Sequence, residues 1–224
     1  MLRIYAFAAV AISCAAAAVL SPISAYGETF YGPTRLADKT YDELVINGPA
    51  ALKNIKAKSL IVKGPLKFVQ LDVQGSATID GPAKGKRGAI HSLSVKGPFR
   101  GAKITVTTLD VLGPASLFFF TIKGDATIAG PLKAKKGHFN NLTAGPGLSE
   151  HTIILDDVDV EQLTIRSDKG LDALLLKGYS SVAGNVIIEA NGSKTIKPGS
   201  ELQVSGKGVK TTSELQAGEK SAKP

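Results

Sequence analysis

Short apolar alternations recur along this chain: Leu44-Val45-Ile46, Leu60-Ile61-Val62, Leu71-Asp72-Val73, Leu93-Ser94-Val95, Leu109-Asp110-Val111 and Phe120-Thr121-Ile122. Each has the period of two of a half-buried strand and runs toward a glycine turn. Many of these turns are a Gly-Pro that returns at Gly48, Gly64, Gly81, Gly97, Gly113, Gly130 and Gly145, with spacings of 16, 17, 16, 16, 17 and 15 residues. A ruler that short predicts a solenoid. The fold class expected is all-β, a single-domain parallel β-helix with coils of about 16 residues, in which each coil lies on the one before and inward side chains stack into apolar ladders. A sandwich would need hairpin turns, yet the only Asn-Gly steps are Asn47-Gly48, which precedes a proline, and Asn191-Gly192. Gly-Pro suits a solenoid corner, because glycine takes backbone conformations closed to other residues while proline fixes its own and donates no hydrogen bond.

A longer repeat lies on the short one. Residues 64–96 placed on 113–145, an offset of 49, agree at twelve of thirty-three positions, among them Gly75 with Gly124, Gly81 with Gly130 and Lys84 with Lys133. Three coils separate equivalent residues, roughly 14 Å along a stack of strands. Residues 28–43 break the pattern and are expected to form an N-terminal cap over an otherwise open strand edge. The solenoid domain is expected over 44–204, with looser strands at Ile153-Ile154-Leu155, Leu163-Thr164-Ile165, Leu174-Leu175-Leu176, Val186-Ile187-Ile188 and Leu202-Gln203-Val204. Residues 205–224 are polar and read as a disordered tail.

The first 27 residues change the picture of where the chain works. Arg3, an alanine-rich apolar stretch from Ile4 to Leu20 and the small residues Ala25 and Gly27 compose a secretory signal, so the protein is expected to be exported to the periplasm or the cell surface. The single cysteine, Cys14, lies inside this segment, and a lipoprotein anchored through it is the lesser alternative. Without it the exported chain has no thiol, and disulfides, thiol catalysis and cysteine-ligated metals drop out. No later apolar run approaches the roughly 20 residues that span a bilayer. The formal charge of +8 favours acidic partners: anionic glycans, lipopolysaccharide phosphates or anionic lipid before nucleic acid.

Candidate chemistry is sparse. The segment Gly81-Pro82-Ala83-Lys84-Gly85-Lys86-Arg87-Gly88 and its repeat Gly130-Pro131-Leu132-Lys133-Ala134-Lys135-Lys136-Gly137 read as two basic turns in register. Lys84, Lys86, Arg87, Lys133, Lys135 and Lys136 would form a polyanion-binding stripe, extended toward Lys56 and Lys58. In Leu117-Phe118-Phe119-Phe120 the 49-residue offset sets Phe118 on Val69 and Phe120 on Leu71 at inward positions, and Phe119 on Gln70 facing outward, where it is a candidate for self-association. Asp156, Asp157, Asp159 and Glu161 form an acidic run without the glycine and closing glutamate of a calcium loop. His91, His138 and His151 have no metal-ligand spacing, and no nucleophile elbow, phosphate loop or dinucleotide fingerprint is present.

The strands Leu71-Asp72-Val73-Gln74-Gly75, Leu93-Ser94-Val95-Lys96-Gly97 and Leu109-Asp110-Val111-Leu112-Gly113 resemble those of bactofilins, polymer-forming bacterial β-helix scaffolds, over about residues 44–145. The resemblance implies the fold and a tendency to stack end to end. The reading that follows is an exported bacterial structural or interaction protein without catalytic activity, cofactor or metal. A monomeric polyanion-binding module using the basic turns is the alternative, and a glycan-active β-helix enzyme is the remote one.

Overall fold

The computed structural model describes residues 27–145, 152–166, 173–183 and 186–189. The segment up to residue 26 expected to be a signal, the strand expected at Leu202-Gln203-Val204, His151 and residues 205–224 lie outside them. Twelve strands follow one another: β1 Glu28–Tyr31, β2 Thr34–Asn47, β3 Ala50–Val62, β4 Leu66–Ile79, β5 Ala83–Val95, β6 Phe99–Val111, β7 Ala115–Ile128, β8 Leu132–Ala144, β9 Thr152–Arg166, β10 Ala173–Lys177, β11 Ser181–Val182 and β12 Val186–Glu189. Each of β1–β9 pairs in parallel with the next, and β10, β11 and β12 together pair along β9 as one broken coil. The molecule is the parallel β-solenoid that the ruler predicts.

One coil explains the rest. In β6 the buried positions are Phe99 and Gly101, then Ile104 and Val106, then Leu109 and Val111, each pair flanking one outward residue. Two outward residues in succession separate the pairs, Ala102-Lys103 at a first corner and Thr107-Thr108 at a second, and Leu112-Gly113-Pro114 closes the third corner. Every coil therefore has three short walls, and the apolar core is the column of inward side chains they enclose. The 17-residue steps of the ruler come from one extra residue at the second corner, where β4 inserts Gly75 and β7 inserts Gly124, and the strand register shifts at those places. A Cβ on Gly75 would sit 2.7 Å from the Lys58 carbonyl oxygen, so only glycine passes that close to the coil beneath.

The third corner shows why Gly-Pro recurs. The prolines need no acceptor, and their carbonyls accept from the residue that follows proline in the preceding coil: Ala50 N–H to Pro65 O at 2.8 Å, Leu66 N–H to Pro82 O at 2.9 Å, Phe99 N–H to Pro114 O at 2.9 Å. Gly64 stands at φ +155, and a Cβ there would lie 2.7 Å from the Gly48 carbonyl oxygen. At the first corner of each strand from β2 to β9 the chain takes the left-handed conformation, at Asp38, Asn54, Gln70, Arg87, Lys103, Phe119, Lys136 and Asp157, with φ between 50 and 64°.

Two expectations need correction here. Residues 34–43, assigned to a cap, are part of a full coil: Gly32-Pro33 lies on the ruler 16 residues before Gly48, and β2 pairs with β3 from Thr34 to Ile46. Among the described residues its outer edge pairs with β1 over Leu44–Asn47. Arg35, Asp38, Lys39, Asp42 and Glu43 lie along the remainder, and Lys39 occupies a column that is Ile55, Leu71 and Ile104 in other coils. Charge along this edge, with one lysine set in the inward column, discourages pairing with another chain. The second correction is Phe118, which faces outward as Val69 does, because the left-handed residue that follows resets the alternation.

Tyr41 closes the core at this end. It is buried beneath an edge contact with the Phe30 ring at 6.5 Å, and its hydroxyl has no hydrogen-bond partner among the described residues. An unpaired buried hydroxyl costs about 1 to 3 kcal/mol. Tyr41→Phe is expected to stabilise the protein by about 1 kcal/mol in urea denaturation. Burial, and then the Glu28 charge, push the Tyr41 phenol above 10.0. Because the folded state holds this proton more tightly than the unfolded chain, the wild type loses stability as pH rises past 10, and Tyr41→Phe should lack that part of the alkaline loss.

Candidate functional site

The six basic residues singled out by sequence lie on one side of the solenoid in two groups three coils apart, and not on turns. Only Gly-Pro makes the corner. The chain then becomes extended because small or apolar residues, Ala83 and Gly85 in β5 and Leu132 and Ala134 in β8, point into the core. Lys84 and Lys133 are the outward positions of the first wall, and Lys86-Arg87 and Lys135-Lys136 form the first corner. Lys56 and Lys58 do not extend the stripe. Lys56 lies on the second wall, and Lys58 lies at the second corner, 2.8 Å from Asp42.

Other residues extend it instead. The second residue after each proline forms one outward column, Arg35, Ala51, Lys67, Lys84, Arg100, Ser116 and Lys133; the fourth forms another, Ala37, Lys53, Val69, Lys86, Ala102, Phe118 and Lys135. Residues 50–144 hold fifteen lysines and arginines against four aspartates. Ten of the fifteen lie on the first wall and its corner: Lys53, Lys67, Lys84, Lys86, Arg87, Arg100, Lys103, Lys133, Lys135 and Lys136. None of the aspartates does. Asp72 is on the second wall, Asp110 on the third, and Asp125 and Asp80 at the second and third corners. With coils about 4.8 Å apart, unit charges on neighbouring coils repel by about 1 kcal/mol even in water. Counting from the prolines along the ruler would have found Lys53, Lys67, Arg100 and Lys103.

The wall has shape as well as charge. A groove of about 650 Å³ runs between the two outward columns over β2–β5, lined by Arg35, Lys53, Lys67, Lys84 and Lys86, with Val69 among its apolar lining. Farther along, Phe118 and Phe119 are 42% and 44% exposed, and their rings meet edge-on at 4.4 Å. Lys136 Nζ lies 5.6 Å from the centre of the Phe119 ring, a cation–π contact. The wall ends at β9, where Lys135 Nζ donates to Asp156 Oδ2 at 2.7 Å, and that hydrogen bond and charge raise the lysine above its ordinary range.

The corner column carries a cost. A left-handed conformation costs an ordinary L residue about 1 to 2 kcal/mol and is easiest for glycine, asparagine and aspartate. Asp38, Asn54 and Asp157 fit at the two ends, and Asn54 Nδ2 donates to Asp38 Oδ1 at 2.8 Å. In β5–β8 the same position holds Arg87, Lys103, Phe119 and Lys136. Lys103→Asn is expected to raise stability by up to about 1 kcal/mol, read as a higher thermal midpoint.

The acidic run is structural where it is described. Asp156 meets Lys135, Asp157 Oδ1 accepts from the Tyr179 N–H at 3.1 Å, and Asp159 Oδ1 accepts from the Ser181 hydroxyl at 2.6 Å. These bonds tie β9 to the coils on either side. Asp72, Asp80 and Asp110, on different sides of the solenoid, do not converge with them. His91 lies at the second corner and His138 on the second wall.

No family model, curated protein or solved structure matches this chain, and the likeness to bactofilins rests on the strand residues quoted above.

Proposed function

We propose that this protein is an exported, non-catalytic β-solenoid that serves as a scaffold or surface-binding protein, with its first wall as the binding face for a polyanion. The single observation that carries the reading is the segregation of charge: ten cations on one wall of β3–β8 and no carboxylate among them. Folding alone gives no reason to gather like charge in columns at strand spacing, since each neighbouring pair is repulsive. An extended polyanion offers the reverse arrangement and would recover that energy on binding. The leader-like first 27 residues support export, and there the acidic ligands at hand are glycans and the phosphates of membrane lipids.

The test is chromatography of the purified protein on immobilised heparin and on the uncharged matrix at low salt. Retention on heparin alone, released by salt, is the expected result. Passage through both columns would remove the reading. Sedimentation velocity of the same material separates a monomeric binding module from an assembling scaffold.

A further inference from the structure

We propose that the first wall lies on an anionic lipid bilayer, with Phe118 and Phe119 entering the headgroup layer; this rests on the polyanion reading above and names its partner. The argument begins with dimensions. From β3 to β8 the wall extends about 24 Å along the solenoid axis, and its cations occupy two columns and a corner, so they cover an area and do not follow a line. A planar array of cations matches a planar array of phosphates. Each basic residue near an anionic membrane surface favours partitioning by about fivefold, and ten act together on this face. The aspartates of the same coils lie on the other walls and corners, so the distribution also selects which side faces the lipid.

The phenylalanines distinguish a bilayer from a soluble polyanion. A hydrated acidic chain gives two adjacent exposed phenyl rings little reason to be there, whereas the boundary between headgroups and acyl chains solvates them well. Their neighbours fit this depth. Lys103 and Lys136 stand one coil to either side of Phe119 in the corner column, and Lys135 is the register partner of Phe118. Long lysine stems can follow the rings inward while their ammonium groups stay among the phosphates. Phe119 is moreover held in a backbone conformation that suits asparagine or glycine better than a bulky residue, a strain consistent with a ring kept for contact.

The chain contains no tryptophan, which makes a clean probe possible. Phe119→Trp is mixed with vesicles of phosphatidylcholine alone, or of phosphatidylcholine with phosphatidylglycerol. With the anionic vesicles its emission should shift to the blue and be quenched by lipids brominated on the acyl chains; with neutral vesicles neither should occur. In co-sedimentation, Phe118→Ser/Phe119→Ser should bind the anionic vesicles at least tenfold more weakly than wild type while keeping the wild-type circular dichroism, which shows it folded, and its retention on heparin, which shows the cations in place. Wild-type protein that is retained on heparin but does not sediment with anionic vesicles would overturn the bilayer proposal and leave the polyanion reading standing. Vesicle binding without a blue shift, or unaffected by the double serine substitution, would overturn the insertion of the rings. Failure on both heparin and vesicles would remove both readings.

Discussion

Gly85→Leu is expected to destabilise the protein by at least about 3 kcal/mol, enough to leave much of it unfolded if its stability is at the low end of the usual range. Gly85 occupies an inward position of β5, and its register partner in β4 is Phe68. A Cβ built on Gly85 would collide with the tip of the Phe68 ring, at its Cζ and Cε atoms, and one on Gly88 would lie 3.1 Å from the same ring. The phenylalanine of one coil thus fills the space left by two glycines of the next. Phe68 is 2% exposed within the continuous core, so it has nowhere to withdraw. Phe68→Ala alone should cost about 3 to 5 kcal/mol through the void it leaves. The double variant Phe68→Ala/Gly85→Leu should be more stable than the sum of the two losses by about 2 kcal/mol, because the leucine enters the vacated volume. Urea midpoints of the four proteins measure the coupling. Strict additivity would show that ring and glycine do not share that space. The same device recurs where Gly137 faces Phe120, whose ring lies 4.6 Å from that of Phe139.

This partnership of rings with glycines shows what could be read in the chain and what could not. The Gly-Pro corner is legible because proline and glycine are rare answers to a specific backbone demand, and from it follow the coil length and parallel stacking. The third wall is legible too, since Leu60-Ile61-Val62 and Leu93-Ser94-Val95 alternate immediately before the corner. The second wall showed only at Leu71-Asp72-Val73 and Phe120-Thr121-Ile122, where an extra glycine ends it. The first wall reads as a turn in β5 and β8. In β5 its inward positions are Ala83 and Gly85, too small to mark an apolar alternation when a phenylalanine from the neighbouring coil supplies the bulk. From β2 to β9 its corner carries no glycine either; stacking imposes the left-handed conformation on whatever residue is there, from Asp38 to Phe119. Hence the sequence shows the basic residues as two clusters without Lys53, Lys67, Arg100 and Lys103, and its alternation places Phe118 in the interior. The first coil was concealed by its charged edge, since Lys39 occupies a position that hydrophobic reading reserves for isoleucine or leucine.

Replacing Lys84, Lys86, Arg87, Lys133, Lys135 and Lys136 together by alanine should weaken binding to a heparin-like polyanion by about three orders of magnitude at low salt. The reason is counterion release: each phosphate or sulfate contact steepens the fall of log affinity with log salt by about 0.7 on a flexible chain. If all ten cations of the wall engage, the wild type has a slope near 7, and the variant, left with Lys53, Lys67, Arg100 and Lys103, a slope near 3. Folding should not suffer, since the substitutions remove mutual repulsion and, among the described residues, break one ion pair, that of Lys135 with Asp156. Net charge alone is the competing explanation, and a matched pair of variants separates it from position. Lys84, Lys86 and Arg87 changed to alanine, and Lys56, Lys63 and Lys123 changed to alanine, lose the same three charges, but only the first set lies on the wall or its corner. The wall triple should lower the slope by about 2 and the other by much less. Equal losses would mean that the protein attracts polyanions through its overall charge, and the segregation of cations onto one wall would then have no part in binding.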